Sequence, residues 1–376
     1  MHSAPQTNPV PPSATPRPKV QAESQNSNNF DDRPTVIDLF SGAGGLSIAF
    51  HQQGFRVVAC VENNRHALET YCESMVRQNS PKTEVIDADI RSPEVLGRLK
   101  ETLKGVSLDV LIGGPPCQDF SPACLKRKRC DERMSLVTDY LRVLAALRPR
   151  VFLFENVPGL LTADAGAHWT AIQMQVKGLG YEVSHQVLNA EDFGVPQRRR
   201  RLFVVGWLDG EAAKYTFPTP NAERMTVRRA IAHLTTLRAG FADSKDPNHR
   251  ARAHRPEIVE YIKQIPKNGN WRSCQGHRVL ACHVDHNGHY DVYGRIDYDD
   301  VSPTITGGCT NPSRGRFIHP TQHRGLTVRE AALLQTFPPD WRFHGGIESA
   351  SQQVGNAVPV RLGEALARCV HASLQG

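Results

Sequence analysis

Thr35-Val-Ile-Asp-Leu-Phe-Ser-Gly-Ala-Gly-Gly-Leu-Ser47 is the stretch from which the fold is read. Thr35 to Phe40 has the composition of a buried strand, the glycines at 42, 44 and 45 permit a tight turn, and helical periodicity follows to about Gln53. A helix opening directly on such a turn offers backbone N–H groups and the positive end of its dipole to a carboxylate or phosphate. Arg56-Val-Val-Ala-Cys-Val61 reads as a second strand and Asn63 to Gln78 as a second helix. Glu62 stands about 20 residues past the glycines, where an acid commonly bonds ribose hydroxyls in nucleotide-binding sheets. Taken alone, the pattern suits a nicotinamide-dependent oxidoreductase nearly as well as a methyltransferase, and a turn without any ligand also fits.

Outward from this unit, strand patterns recur near Val85 and Ile86, at Leu108 to Gly113, at Arg150 to Phe154, at Glu182 to Leu188 and at Arg201 to Trp207. Amphipathic helices are expected around Leu136 to Leu147 and Trp169 to Leu179. Strands with continuous apolar character alternating with helices imply an α/β fold whose parallel sheet is covered on both faces. The character changes near Phe217-Pro-Thr-Pro220; from there to about Gln322 His, Arg, Asn, Gly and Asp abound and regular periodicity fades. Helical pattern returns at Thr327 to Gln335 and from Pro359 to about Ser373.

Composition narrows the function. Met1 to about Asp32 is rich in Pro, Ser, Asn and Gln and is expected to be a disordered tail. Absence of a long apolar run argues against a membrane span, and the N-terminus has no secretory pattern, so a cytoplasmic location is expected. Nine cysteines, an odd number at irregular spacing, suit a reducing compartment rather than a disulfide framework. The net charge of +7 suggests a polyanionic partner, with basic runs at Lys126-Arg127-Lys128-Arg129 and at Arg198 to Arg201.

Gly113-Gly-Pro-Pro-Cys-Gln-Asp-Phe-Ser121 follows the fourth strand at the end where open parallel sheets bind ligands. Two prolines stiffen the backbone before Cys117, which reads as an attacking thiol or, equally, as an inert buried cysteine. Phe154-Glu-Asn-Val-Pro-Gly159 ends the next strand, so a parallel sheet would bring Glu155 close to Cys117.

Asp38-Leu-Phe-Ser-Gly-Ala-Gly-Gly45, Pro115-Pro-Cys-Gln118, Glu155-Asn-Val157, Gln197-Arg-Arg-Arg-Arg-Leu-Phe203 and Gln353-Val-Gly-Asn-Ala-Val-Pro359 resemble, in order, the signature blocks of DNA (cytosine-5)-methyltransferases of the bacterial restriction-modification type. The resemblance implies a Rossmann-like, S-adenosylmethionine-dependent methyltransferase sheet with a smaller, loop-rich target-recognition domain. The expected division is a tail at 1–32, a catalytic and cofactor domain at 33–216, a recognition domain at 217–345, and a segment at 346–376 returning to the first. The implied reaction is methylation of C5 of a flipped-out cytosine in double-stranded DNA, with Cys117 adding to C6, Glu155 sharing a proton with N3, Arg201 on the cytosine O2 and Arg199 near the reacting cysteine.

For the cofactor, the resemblance implies Phe40 and Asp89 at the adenine, Glu62 at the ribose, and Asn356 and Val358 near the methionine moiety, beside Gly42, Gly44, Gly45 and Pro115. Gln118 to Arg133 resembles the mobile loop that closes on the base; its basic run departs from the small polar residues common there and is expected, with Gln118, to contact DNA. Tyr293-Gly-Arg-Ile296 and Ser302-Pro-Thr-Ile-Thr306 resemble a bacterial pattern in which Arg295, Thr304 and Thr306 are candidates for phosphate or base-edge contacts. Arg329 to Pro338 resembles a helical block that organises the recognition domain. Cys274, His277, Cys282, His283, His286 and His289 match no familiar zinc spacing, and no metal is expected. A monomer near the nucleoid is expected, with a separate cognate endonuclease as a plausible companion. A transfer-RNA methylating branch and a nonenzymatic DNA-binding relative stand as alternatives, the first lacking here its Cys-Phe-Thr signature.

Overall fold

The computed structural model describes residues 32–116, 131–208, 210, 213–220, 223–274 and 291–376, with the backbone alone at 131–135. Among the described residues seven strands form one sheet: β1 Thr35–Leu39, β2 Arg56–Glu62, β3 Glu84–Asp87, β4 Val110–Gly113, β5 Val151–Asn156, β6 Tyr181–Asn189 and β7 Arg200–Leu208. Their spatial order is β3-β2-β1-β4-β5-β7-β6. The first five are parallel, with Asp38 opposite Cys60 on one side and Ile112 on the other. The sheet is not parallel throughout: β7 runs antiparallel to both β5 and β6. A short connection, opening in a 3-10 turn at Ala190–Phe193, joins β6 to β7. A parallel return needs a crossover of a dozen or more residues, so this link turns the chain back instead.

Strand alternation builds two cores. Val36, Val110, Ile112, Val151 and Leu153 face one layer, and Ile37, Leu39, Leu111, Phe152 and Phe154 face the other. Helix α1 (Gly45–Gln52) lies on the first face, as does α2 (Arg65–Tyr71), which Asn64 caps by accepting from the Ala67 N–H and which continues as a π-turn at Cys72–Val76. Against the second face pack α3 (Pro93–Thr102), α4 (Asp131–Leu147) and α5 (Ala167–Gly178) through Val95, Leu99, Val143, Leu144, Trp169 and Ile172. None of the strong apolar runs marked α3; Pro at its first turn and two buried residues are its signal.

Beyond β7 come α6 (Val227–Ile231), α7 (Pro256–Gln264), α8 (Val328–Leu334), α9 (Ile347–Asn356) and α10 (Val360–Gln375). A small core of Tyr261, Ile262, Ile265, Val292, Tyr293 and Ile318 holds the loop-rich stretch around α7. Arg295 is buried at its edge and donates to the carbonyls of Ile262, Ile265, His319 and Gln322. With its guanidinium committed to four carbonyls, Arg295 is an internal tie rather than the DNA contact expected of it. At α8, Thr327 and Glu330 form a capping box while the Glu330 carboxylate also receives the buried Arg324 guanidinium, which helps hold its pKa down at about 2 against burial.

The C-terminal chain then returns to the opening turn. Trp341 is 1 % exposed, sits in the first core and donates its indole N–H to the Ala43 carbonyl at 3.1 Å. Trp341→Ala is expected to cost about 3–5 kcal/mol from the lost burial and cavity, seen as a lower urea midpoint with an unchanged slope; a loss under about 1 kcal/mol would contradict this packing role.

Candidate active site

A cavity of about 720 Å³ opens at the C-terminal ends of β1, β2, β4 and β5. It lies where the sheet order reverses between β1 and β4, the crevice in which open α/β sheets take ligands. Phe40, Gly42, Gly45, Glu62, Asp89, Pro115, Asn356 and Val358 all line it, as do Glu155, Arg199 and Arg201. Cys117, Gln118, Lys126, Arg127, Lys128 and Arg129 lie outside the described residues, as do the histidines at 277, 283, 286 and 289 and Cys282.

The β1 turn is shaped by left-handed backbone at Phe40 (φ 57°), Gly42 (φ 54°) and Gly44 (φ 89°). A side chain at Gly42 would meet no protein atom within 4 Å, so the cavity has room against the backbone there. Gly44 differs from expectation: it turns from the cavity lining toward Trp341 and Tyr71, which a Cβ would meet at 3.2 Å, and its role is in the turn and its packing. At Gly45 a Cβ would lie 2.7 Å from the Val358 carbonyl oxygen, so this glycine serves the approach of the C-terminal segment. Glu62 clasps the turn from β2. One carboxylate oxygen accepts from the Gly42 N–H at 2.9 Å, and the other from the Asn63 and Asn64 N–H groups at 2.9 and 2.8 Å.

Asp89 is already engaged. Arg91 donates to both its oxygens, at 2.9 and 2.6 Å, and that guanidinium draws its pKa down to about 2. The carboxylate therefore lines the cavity as an anion with a cation beside it.

Glu155, one residue before the end of β5, lies next to the chain leading toward Cys117: a Cβ on Gly114 would lie 3.1 Å from a Glu155 carboxyl oxygen. Arg201 approaches the other oxygen at 3.1 Å, and the two side chains are 17 % and 12 % exposed. Burial raises the Glu155 pKa and prevails over the opposing influence of Arg201 and Arg199. This carboxyl keeps a proton to higher pH than an ordinary one.

The four consecutive arginines split by strand alternation. Arg199 is buried and Arg201 half-buried on the cavity side, whereas Arg198 and Arg200 are exposed, with Arg198 paired to Asp300 at 2.9 Å. Arg199 does not present its guanidinium freely to the cavity. Its terminal nitrogens donate to the Ile305 and Gly355 carbonyls, each at 2.9 Å.

Arg199 thereby joins a brace with Gln197, a residue sequence reasoning quoted but gave no role. Gln197 is fully buried, accepts from the Ile305 N–H at 2.9 Å and donates to Gln335 at 2.8 Å. The Ser302–Thr306 segment is laced on by Ser302 N–H to Pro196 O, Arg198 N–H to Ser302 O and Thr304 Oγ1 to Arg198 O. Thr304 thus donates within the protein, while Thr306 is exposed. Behind this segment runs α9, where a Cβ on Gly355 would come within 2.1 Å of the Thr306 carbonyl carbon.

Other lining residues also escaped sequence reasoning. Asn156 is 2 % exposed, caps the Val157 N–H at 2.8 Å and reaches the Pro115 carbonyl at 3.4 Å. Its signal was adjacency to Glu155. Ser349, Gln352 and Gln353 come from α9, a helix without a strong apolar repeat; Gln353 accepts from the Thr70 hydroxyl at 2.6 Å, joining α9 to α2. Cys274, the described member of the Cys/His cluster, is half-buried, and among the described residues nothing gathers three potential ligands for a metal.

The fold and the cavity define a class: an α/β enzyme domain of the S-adenosylmethionine-dependent methyltransferase type. Solved structures of that architecture include a putative DNA modification methyltransferase encoded within an E. coli prophage, with TM-score 0.71, 24 % identity, and 91 % of this chain and 100 % of that one covered. The family model for C-5 cytosine-specific DNA methylases matches residues 34–371, and the chain belongs to that family. It is 35 % identical to the type II methylase M.HgiDII of Herpetosiphon aurantiacus, covering 91 % of this chain and 96 % of that protein. To the type II methyltransferase M1.HphI of Haemophilus parahaemolyticus it is 38 % identical, covering 89 % and 86 % respectively. No helix among the described residues is long and apolar enough to cross a membrane.

Arg199→Met would leave two buried carbonyls without donors, at roughly 1–3 kcal/mol each. Chemical denaturation should show that loss, and cofactor affinity should fall with it; a variant as stable as the parent would mean the brace is dispensable.

Proposed function

We propose that this protein methylates C5 of cytosine within a specific sequence of double-stranded DNA, flipping the base into the space beside Glu155 and Arg201. The observation that carries the reading is a largely enclosed Glu155, its pKa raised by burial, held by Arg201 in the cavity that the β1 turn and Glu62 share. In a chain of the C-5 cytosine family, that pairing suits a ring nitrogen that gains charge.

The residues fit S-adenosylmethionine. Glu62 is preset by three backbone N–H groups for ribose hydroxyls, Gly42 leaves backbone room, and Asn356 and Val358 close the wall opposite. When bound, the cofactor supplies an electrophilic methyl group.

Cytosine C5 is a weak nucleophile until the ring's aromaticity is broken. The Cys117 thiolate adds to C6, which makes C5 enamine-like. Negative charge moves to N3, where Glu155 delivers its proton, a contribution of roughly a hundred- to ten-thousand-fold in rate. Arg201 steadies Glu155 and holds O2. C5 then takes the methyl group that the cofactor would supply, water accepts the C5 proton, N3 returns its proton to Glu155, and elimination releases Cys117 as the thiolate. Residues 33–216 with 346–376 carry this chemistry, and 217–345 recognise the target, with the basic run at 126–129 on phosphates. Duplex DNA is the macromolecular substrate, one copy suffices for one site, and a separate endonuclease cutting the same sequence is the natural companion.

Bisulfite mapping of DNA from cells expressing the chain is expected to show one methylated motif, absent with Cys117→Ser. Duplex carrying 5-fluorocytosine should trap a covalent protein–DNA adduct, and its failure to form with cofactor and duplex both bound would sink the mechanism. Glu155→Gln should slow transfer by roughly 10²- to 10⁴-fold. Because burial lifts the Glu155 pKa, the parent's rate should fall as pH rises through that raised value; a rate still climbing there would contradict Glu155 as the proton donor.

A further inference from the structure

We propose that Arg314, with the backbone of Gly307 and Gly308, forms a cradle for one phosphodiester of the target strand, the one adjoining the base received in the cavity. The inference rests on the DNA reading above and deepens it, naming a residue that positions the strand rather than one that reacts.

The segment Thr306-Gly-Gly-Cys-Thr-Asn-Pro-Ser-Arg-Gly315 doubles back on itself. Asn311 starts the return: its side chain accepts from the Ser313 N–H at 3.1 Å and its carbonyl from the Arg314 N–H at 3.0 Å, closing a 3-10 turn at Pro312–Arg314. The Arg314 stem then lies across Gly308, where a Cβ would collide with Arg314 Cδ, so any side chain at 308 would displace it.

Arg314 is exposed, and among the described residues its guanidinium meets no carboxylate or carbonyl. Arginines around it are already engaged. Arg252 pairs with Glu348, Arg316 with Asp291, and Arg295 is buried on carbonyls. The N–H groups of Gly307 and Gly308 have no protein acceptor among the described residues, and the exposed Thr306 hydroxyl has no partner there. A free guanidinium, two amide donors and a hydroxyl gathered on one turn suit a tetrahedral anion.

Position identifies that anion. The Gly307 carbonyl accepts from Ser351 Oγ at 2.9 Å, and a Cβ on Gly307 would lie 3.3 Å from the Cα of Gln352, which lines the cavity. Ile305, just before the turn, is held by Arg199, another lining residue. The turn therefore backs onto the cavity wall. A base received there leaves its own phosphodiester at the rim, where a phosphate contact fixes register without reading sequence.

Duplexes carrying the motif found by bisulfite mapping, with a single neutral methylphosphonate placed at each phosphate around the target cytosine in turn, test this. At the cradled position the parent should lose about tenfold in affinity, the scale of one charge-assisted contact. Arg314→Ala should bind unmodified duplex about tenfold more weakly and lose nothing further at that one position. Its log–log salt slope should be shallower by about 0.9, whereas Arg314→Lys, which keeps the charge, should keep the parent's slope. Affinity for S-adenosylmethionine should not move, as it would if Arg314 merely propped the Arg199 brace. If Arg314→Ala loses as much as the parent at every position, or is insensitive only on the opposite strand, the cradle is overturned and the methylation reading stands. A parent that binds no duplex would instead overturn the DNA reading, and the cradle with it.

Discussion

The buried guanidinium of Arg199 is the contact on which the geometry of the site depends. One terminal nitrogen holds the carbonyl of Ile305 and another that of Gly355, so the lead-in to β7, the Ser302–Thr306 segment and the last turn of α9 meet at a single side chain. Burying a charge is costly unless its donors are satisfied. Burial and neighbouring Arg201 both work against the charge on Arg199, and Glu155 favours it. The brace is thus an electrostatic compromise: Glu155, once it has lost its proton, helps to keep the structural arginine ionised. It also ties the Glu155 and Arg201 side of the cavity to the part lined by the C-terminal segment, because Asn356 and Val358 come within three residues of Gly355.

The cavity shows how one chemical group is tuned in opposite directions within a few strand ends. Asp89 is held low by a guanidinium, and Asp38 is lifted by burial without a cation. Glu155 is lifted too, although a guanidinium touches it, because its desolvation outweighs that attraction. Glu62 is fixed in place by backbone donors. A carboxyl intended for proton transfer needs its pKa moved toward working pH, whereas one that only orients a ligand does not. The differences arise from what each strand end meets next.

Charge on the region beyond β7 has a different logic. Arg198 and Arg224 share Asp300, and Arg228 pairs with Asp299. These pairs are largely exposed and contribute little to stability. Arg295 and Arg324, by contrast, are sealed inside with carbonyls and a carboxylate. Arginine content alone therefore says little about which cations meet a polyanion.

The α/β class, most strand positions, the Gly-rich turn, Glu62, Glu155 and the family itself were legible in the chain, because apolar periodicity and short motifs are local properties. Resemblance to the family's Gln-x-Arg-x-Arg block, rather than any local pattern, separated Arg199 and Arg201 from their neighbours. The antiparallel direction of β7 was not legible, since it depends on how a short connection closes against β5. Nor was the fate of Arg295, Gly44 or Gln197, whose partners lie tens of residues away or more. A residue type announces what chemistry it can do; only the packed chain decides whether its donors are spent on carbonyls or left for a ligand, because satisfying buried polar groups is a long-range condition.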